Sequence, residues 1–170
     1  MPQDEPTGPD LEGVVADANA AGLEYVVIGG FSVIYHGHIR ATKDSDLLVP
    51  DGPEADDAIA CFLDRAEATR LYDGKRLTPA DIAGAHHLRV SSRHGIVDIM
   101  RGGLPPLDYD TVAQRAEETV WDGQVVRVAA LPSLVGFKRL AGRPQDRQDL
   151  ADLEAIYGEL PIEQIPGVDS

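Results

Sequence analysis

The chain has one cysteine, Cys61, so an intrachain disulfide is impossible and a reducing, cytoplasmic setting is expected. Aromatic residues make up only 5% of its 170 residues, so the core must be built from Val, Leu, Ile and Ala. No apolar run approaches the roughly 20 residues needed to cross a bilayer, and no membrane partner is expected. The first ten residues, MPQDEPTGPD, lack a basic and an apolar segment and do not read as a signal peptide. Positive charge is scarce: 15 Lys and Arg stand against 29 Asp and Glu, a net charge of -14, and neither Lys nor Arg precedes Arg40. So acidic a chain has no bulk electrostatic affinity for nucleic acid. RNA or a nucleotide would need a local basic patch, and Lys138, Arg139, Arg143 and Arg147 concentrate what charge there is. The acidic residues read first as solubility and second as a surface for a basic partner.

What is present suits one domain, or a core with a small helical extension: 43% of residues are apolar. Residues 1–9 read as a disordered arm, rich in Pro, Gly and acids. DLEGVVADANAAG predicts a helix with Asp10 as N-cap and Gly22 near its C-cap. EYVVI predicts a buried strand over 24–28, followed by a short helix after Gly29-Gly30. SDLLVP predicts a second strand stopped by Pro50, and 53–68 a helix begun by Pro53. HHLRVSS and GIVDIM predict two strands joined by a turn at 93–95, and RGGLPPLDYD a loop. EETVWDGQVVRVAA predicts a hairpin at Asp122-Gly123. PSLVGFKRLAG and DRQDLADLEAIYG predict two last helices, the second with Leu150, Leu153 and Ile156 or Tyr157 as its apolar stripe. The fold class is α/β or α+β, a mixed sheet flanked by helices. Residues 10–130 form the expected core, 131–160 a helical extension packed on it, and 161–170 a tail.

The candidate chemistry begins with Asp44 and Asp46. On a strand, residues i and i+2 project from the same face, so two carboxylates would lie close together. Their repulsion grows with burial, and a divalent cation removes it. Mg2+ prefers such oxygen ligands and leaves room for substrate phosphates. Alone, DSD is a weak signal and reads first as a solvated pair at a strand mouth. Asp98 interrupts the apolar run GIVDIM and shares a face with Ile96 and Met100, where an acid needs a partner. If its strand lies beside that of Asp44 and Asp46, three carboxylates converge, as in a two-metal site. The alternative is a lone acid bonded to an Arg or a backbone amide. Gly29 and Gly30 let a backbone approach a phosphate at a helix start, and the Ser32 hydroxyl can add a donor. The alternative is a tight strand-to-helix turn. No Gly-Lys-Ser/Thr P-loop and no G-x-G-x-x-G accompanies them.

Together these residues resemble the polymerase-β-like nucleotidyltransferases. Ile28-Gly29-Gly30, thirteen intervening residues, Asp44-Ser45-Asp46-Leu47 and then Asp98 carry the resemblance. Ser45 stands where that superfamily usually has an apolar residue. The phrase GGFSVIYHGHIRATKDSDLLV, with His36-Gly37, Arg40 and Thr42, and the tail LVGFKRLAGRPQDRQDLADL look like the AbiEii-type branch. The resemblance covers 24–49, 95–100 and 131–153. It implies a small mixed sheet with flanking helices, and transfer of a nucleoside monophosphate from an NTP to an acceptor hydroxyl. It also implies Mg2+ or Mn2+ on Asp44, Asp46 and Asp98, and phosphate contacts from Gly29, Gly30, Ser32 and Lys138. Arg40 reads as a phosphate ligand or, preferably, a brace for the acidic strand. Lys138 has a plain alternative as a solvated lysine. Many members of the branch are toxins of toxin–antitoxin pairs and some modify tRNA ends. The expected acceptor is therefore a tRNA, a protein hydroxyl or a small molecule, and a cognate antitoxin is a possible partner. The rivals are an antibiotic- or small-molecule-modifying enzyme and a non-catalytic antitoxin or binding module of the same fold.

The remaining polar residues read more plainly. His36 and His38 lack a third ligand at zinc spacing and suggest packing or hydrogen bonding. His86-His87 opens a strand and is assigned no chemistry. Arg143, Asp146, Arg147 and Asp149 read as helix–helix salt links or solvated residues, with an acceptor-binding rim of the two arginines as the lesser reading. Trp121 reads as core.

Overall fold

Asp10 accepts a hydrogen bond from the Gly13 amide and so caps helix α1, Leu11–Ala20, which gives out before Gly22 at φ 69°. The structure, a computed structural model, describes residues 8–169. The expected N-terminal arm falls on residues 1–7, outside the described residues, and on Gly8 and Pro9. Pro9 already packs beside Gly95. The β-branched run gives strand β1, Val26–Ile28, fully buried. Helix α2, Gly29–Tyr35, begins at the glycines themselves rather than after them. Strand β2 is Asp44–Val49, and helix α3, Pro53–Arg65, carries Pro53 in its first turn. Two short pieces follow, strand β3 at Thr69–Arg70 and helix α4 at Pro79–Ile82. Strands β4, His87–Ser92, and β5, Gly95–Arg101, form a hairpin with its turn at 93–94.

Helix α5, Tyr109–Arg115, overlaps the end of the expected loop; Asp108 caps it by accepting from the Thr111 amide. Strands β6, Glu117–Trp121, and β7, Gln124–Val128, flank Asp122-Gly123, both at positive φ (47° and 75°) as a tight hairpin turn requires. Helix α6, Leu131–Ala141, ends at the left-handed Gly142, and helix α7 is Pro144–Tyr157.

The seven strands form one mixed sheet in the order β3-β4-β5-β2-β1-β7-β6. β1 pairs antiparallel with β2 and parallel with β7, while β2 runs parallel to β5. One face buries Leu47, Val49, Val90, Val97 and Ile99 together with Ile59 and Phe62 of α3 and the apolar side of α1. On the other face, Val26, Ile28 and Leu48 pack with Val112 of α5 and Phe137 of α6. That cover does not extend over the β4–β5 half, where His87, Arg89 and Met100 stay exposed.

Helix α7 docks differently from its expected apolar stripe. Ile156 and Tyr157 are about half exposed (49% and 48%), and the buried residues are Asp146, Asp149 and Leu153. Leu153 meets Leu134 of α6 and Val33 of α2. The expected tail is also held: Ile165 is buried, and Arg139 hydrogen-bonds Asp169 at 2.6 Å.

Candidate active site

The parallel register of β2 and β5 sets Asp46 beside Asp98, and the strand period places Asp44 on the same face. Ligand atoms of Asp44, Asp46 and Asp98 all lie within 4.8 Å of one another. The three acids therefore converge across two strands. Burial, and then the neighbouring Asp44 and Asp98 carboxylates, push the Asp46 carboxyl up to about 7. Burial raises Asp98 as well, against a hydrogen bond from His87 and the charge of Arg89. Ser45 points the other way into the core, where its hydroxyl has no hydrogen-bond partner among the described residues.

Asp98 has two partners that the sequence reading, which allowed it an Arg, did not name. His87 Nε2 sits 2.8 Å from Asp98 Oδ1, and Arg89 donates from one nitrogen to Asp98 Oδ2 at 2.5 Å and Asp44 Oδ2 at 2.9 Å. A signal was available. A turn at 93–94 fixes the β4–β5 register, so Arg89 stands opposite Asp98, and the strand period brings His87 to the same face.

The glycines serve the acids directly. Gly29 has φ 68°, a left-handed conformation, and a Cβ there would fall inside the Asp46 carboxylate. A Cβ on Gly30 would come within 2.5 Å of Thr42 Oγ1. Ser32 is corrected: it is fully buried, and its hydroxyl donates to Gly29 O at 2.6 Å, so it does not face the cleft. Gly29→Ala is expected to cost at least about 1–2 kcal/mol from backbone strain alone. It should also turn Asp46 aside. A denaturant midpoint reads the first effect, and loss of Mg2+-dependent stabilisation reads the second.

The basic residues gather on the other side of the acids. Arg40, from the α2–β2 connection, clamps Asp149 with Nε–Oδ1 at 2.7 Å and a second bond at 2.9 Å. It braces the last helix rather than the acidic strand. Lys138 is neither solvated nor free: it is 5% exposed and lies 3.0 Å from Asp146 and 2.8 Å from Asp149. Lys138 thus links α6 to Asp146 and Asp149 of α7, whereas Arg143 joins Asp146 at 2.8 Å only within the first turn of α7. Burial opposes the charge on Asp149, but hydrogen bonds from Arg40 and Lys138 outweigh it and hold the carboxyl below its ordinary range. The Arg147 side chain donates to Gly142 O at 3.2 Å and, among the described residues, meets no carboxylate. His36 hydrogen-bonds Ala129 O at 2.7 Å and His38 lies 3.1 Å from Asp152, so neither joins the acids. Trp121 packs, partly buried, against the main core.

A cleft of about 340 Å³ opens between these groups, lined by Gly29, Gly30, Arg40, Asp44, Asp46 and Lys138. Lys43 and Gln145, which the sequence did not single out, also reach it. A smaller hollow of about 110 Å³ continues from it over Ile28, Met100, Leu134 and Phe137. The polar end thus suits an anion with its cation, and the apolar end a flat or apolar group.

Two solved structures share this architecture. One is the solution structure of the antibiotic-resistance factor ANT(2'')-Ia, with a TM-score of 0.57 and 13% identity, covering 87% of this chain and 82% of that one. The second is the crystal structure of ANT(2'')-Ia in complex with adenylyl-2''-tobramycin, with a TM-score of 0.56 and 14% identity over 87% of each chain. The fold is nucleotidyltransferase-like. At such identities the likeness carries the architecture and leaves the chemistry to the residues in the cleft. No family model matches the chain, and no curated protein matches it in sequence. Within this nucleotidyltransferase-like frame no helix among the described residues is long and apolar enough to cross a membrane.

Proposed function

We propose that the protein transfers a nucleoside monophosphate from an NTP to an acceptor hydroxyl. The convergence of Asp44, Asp46 and Asp98 beside the glycine turn of α2 supports this reading most strongly. An all-oxygen set of three carboxylates fits Mg2+ or Mn2+ better than a softer metal. Asp44 and Asp46 would hold the cation. Bound there, Mg2+ supplies charge neutralisation for the triphosphate and the leaving pyrophosphate. The backbone at Gly29 and Gly30, with Lys43 and Lys138, lines the end of the cleft that receives the β- and γ-phosphates. Asp98 lies one strand further out, toward the open β4–β5 face, and marks the acceptor side. The acceptor oxygen bonds to the α-phosphorus while the bond to the β-phosphate oxygen breaks and pyrophosphate leaves with the electron pair. The acceptor proton passes to Asp98, whose oxygens each keep a lone pair beyond their present partners.

The net charge of -14 and the architecture shared with an antibiotic-resistance factor favour a small, cationic acceptor over an RNA. The resemblance to the AbiEii-type branch supports a second reading, in which the chain is a toxin that marks a tRNA end or a protein hydroxyl and is held by an antitoxin. Incubation with each labelled NTP, Mg2+ and one acceptor class at a time separates them. Label on an aminocyclitol supports the first, and label on tRNA or protein the second. If no nucleotide binds with or without Mg2+, transfer is refuted in favour of a non-catalytic module.

The site also predicts a pH dependence. The Asp46 carboxyl is raised from 3.8 to about 7 on folding. Between those values the folded protein holds a proton that the unfolded chain has lost. Metal-free stability should therefore fall by a few kcal/mol as pH rises through that window, and level off above it. Saturating Mg2+ should raise the melting temperature more at about pH 8 than at about pH 5.5. Equal shifts at both would contradict cation binding at Asp46.

A further inference from the structure

Arg89 stands where a second cation would be expected. Resting on the reading of the site given above, we infer that its guanidinium permanently takes the acceptor-side cation position, so that the loaded site holds one divalent ion. Each oxygen of Asp98 already meets a basic side chain of the chain, Oδ1 with His87 at 2.8 Å and Oδ2 with Arg89 at 2.5 Å, so a second cation would face the fixed charge of Arg89 there. The same Arg89 nitrogen also takes Asp44 Oδ2 at 2.9 Å, which is the bridge between Asp44 and Asp98 that a second metal would make. Among the described residues, no cation is paired with Asp46. One open position remains, between Asp46 and the free oxygen of Asp44, on the side of the glycine turn.

Three features make Arg89 a fixture. An arginine does not deprotonate in the working pH range, and a single guanidinium nitrogen carries two N–H donors, one for each carboxylate. Its place is set by backbone: Arg89 stands directly opposite Asp98 in the β4–β5 ladder, whose register the two-residue turn fixes. Asp98 is buried while Arg89 is 43% exposed, so the acid depends on the arginine for its partner while the arginine keeps one side toward solvent. That outer side faces the open half of the sheet, where an acceptor would arrive.

The test counts metal per nucleotide. The protein is dialysed to equilibrium against Mn2+ and each of four non-hydrolysable NTP analogues, and the Mn2+ and nucleotide retained by protein are both measured. The expected ratio is one Mn2+ per nucleotide for the wild type and for Arg89→Lys, and two for Arg89→Met, which frees Asp98 and the second oxygen of Asp44. A wild-type ratio of two means that Arg89 yields to metal and overturns this inference while leaving nucleotidyl transfer standing. Retention of no nucleotide by the wild type overturns both. If Arg89→Met fails to fold, the count is taken on Arg89→Gln, for which two Mn2+ are again expected and one overturns the inference. If Arg89→Met folds and still retains one Mn2+, Arg89 is a structural partner only and the inference falls.

Discussion

Asp46→Asn is expected to abolish nucleotidyl transfer and, in the same protein, raise the melting temperature of the metal-free form. The two effects have one cause. Asp46 lies among carboxylates that it repels, and burial drives its carboxyl to about 7. An amide of the same shape removes a charge that costs the folded state at neutral pH, worth a few kcal/mol and so several degrees in a chain of this length. The same amide is a poor ligand for a hard cation, and transfer should fall by about 1,000-fold or more, the order seen when a charge-stabilising group is lost from an active site. Thermal unfolding without metal and a labelled-NTP assay with Mg2+ read the two halves. A variant that lost activity and stability together would mean that Asp46 is a structural acid. Asp44 should show less stabilisation, because Arg89 already offsets part of its charge.

Asp149→Ala is expected to be the most destabilising single change near the cleft, about 3–5 kcal/mol, or on the order of 10 °C in melting temperature. Asp149 is fully buried and holds Arg40 by two hydrogen bonds and Lys138 at 2.8 Å. Removing it leaves Arg40 unpaired and Lys138 with Asp146 alone. The alternative partner for both cations is the triphosphate of the proposed NTP substrate. An NTP analogue with Mg2+ should therefore recover more stability in Asp149→Ala than in the wild type, measured as the shift in melting temperature. An equal shift would mean that Arg40 and Lys138 do not reach the triphosphate.

Much of this is legible in the sequence. Asp10, Pro53, Pro132 and Gly142 mark helix ends through local chemistry, and Asp122-Gly123 marks a hairpin through the positive φ that its turn needs. The acid on β5 was legible because a charge inside an apolar strand must answer to something. What stayed hidden depended on partners distant in sequence. Strand β3 has two residues and helix α4 four, too few for any period to show. Helix α5 buries only Val112, so no stripe announces it. The expected apolar stripe of α7 misled because much of the docking face is charged: Asp146 and Asp149 are buried against Lys138 and Arg40, while Ile156 and Tyr157 stay half exposed. Ser32 misled because a hydroxyl near glycines suggests a donor, whereas in a short helix it turns back to the carbonyl three residues earlier.

The clash that a side chain at Gly29 would make changes what the double glycine can be taken to mean. The space it leaves is filled by the chain's own Asp46. A relative that kept Asp46 could accept alanine at position 29 only by turning that carboxylate aside, whatever else the cleft holds. A descendant that shortened the acid could accept it at the cost of backbone strain alone. The glycine is thus a record of the carboxylate behind it, and a search for lost activity in such chains should begin at position 46.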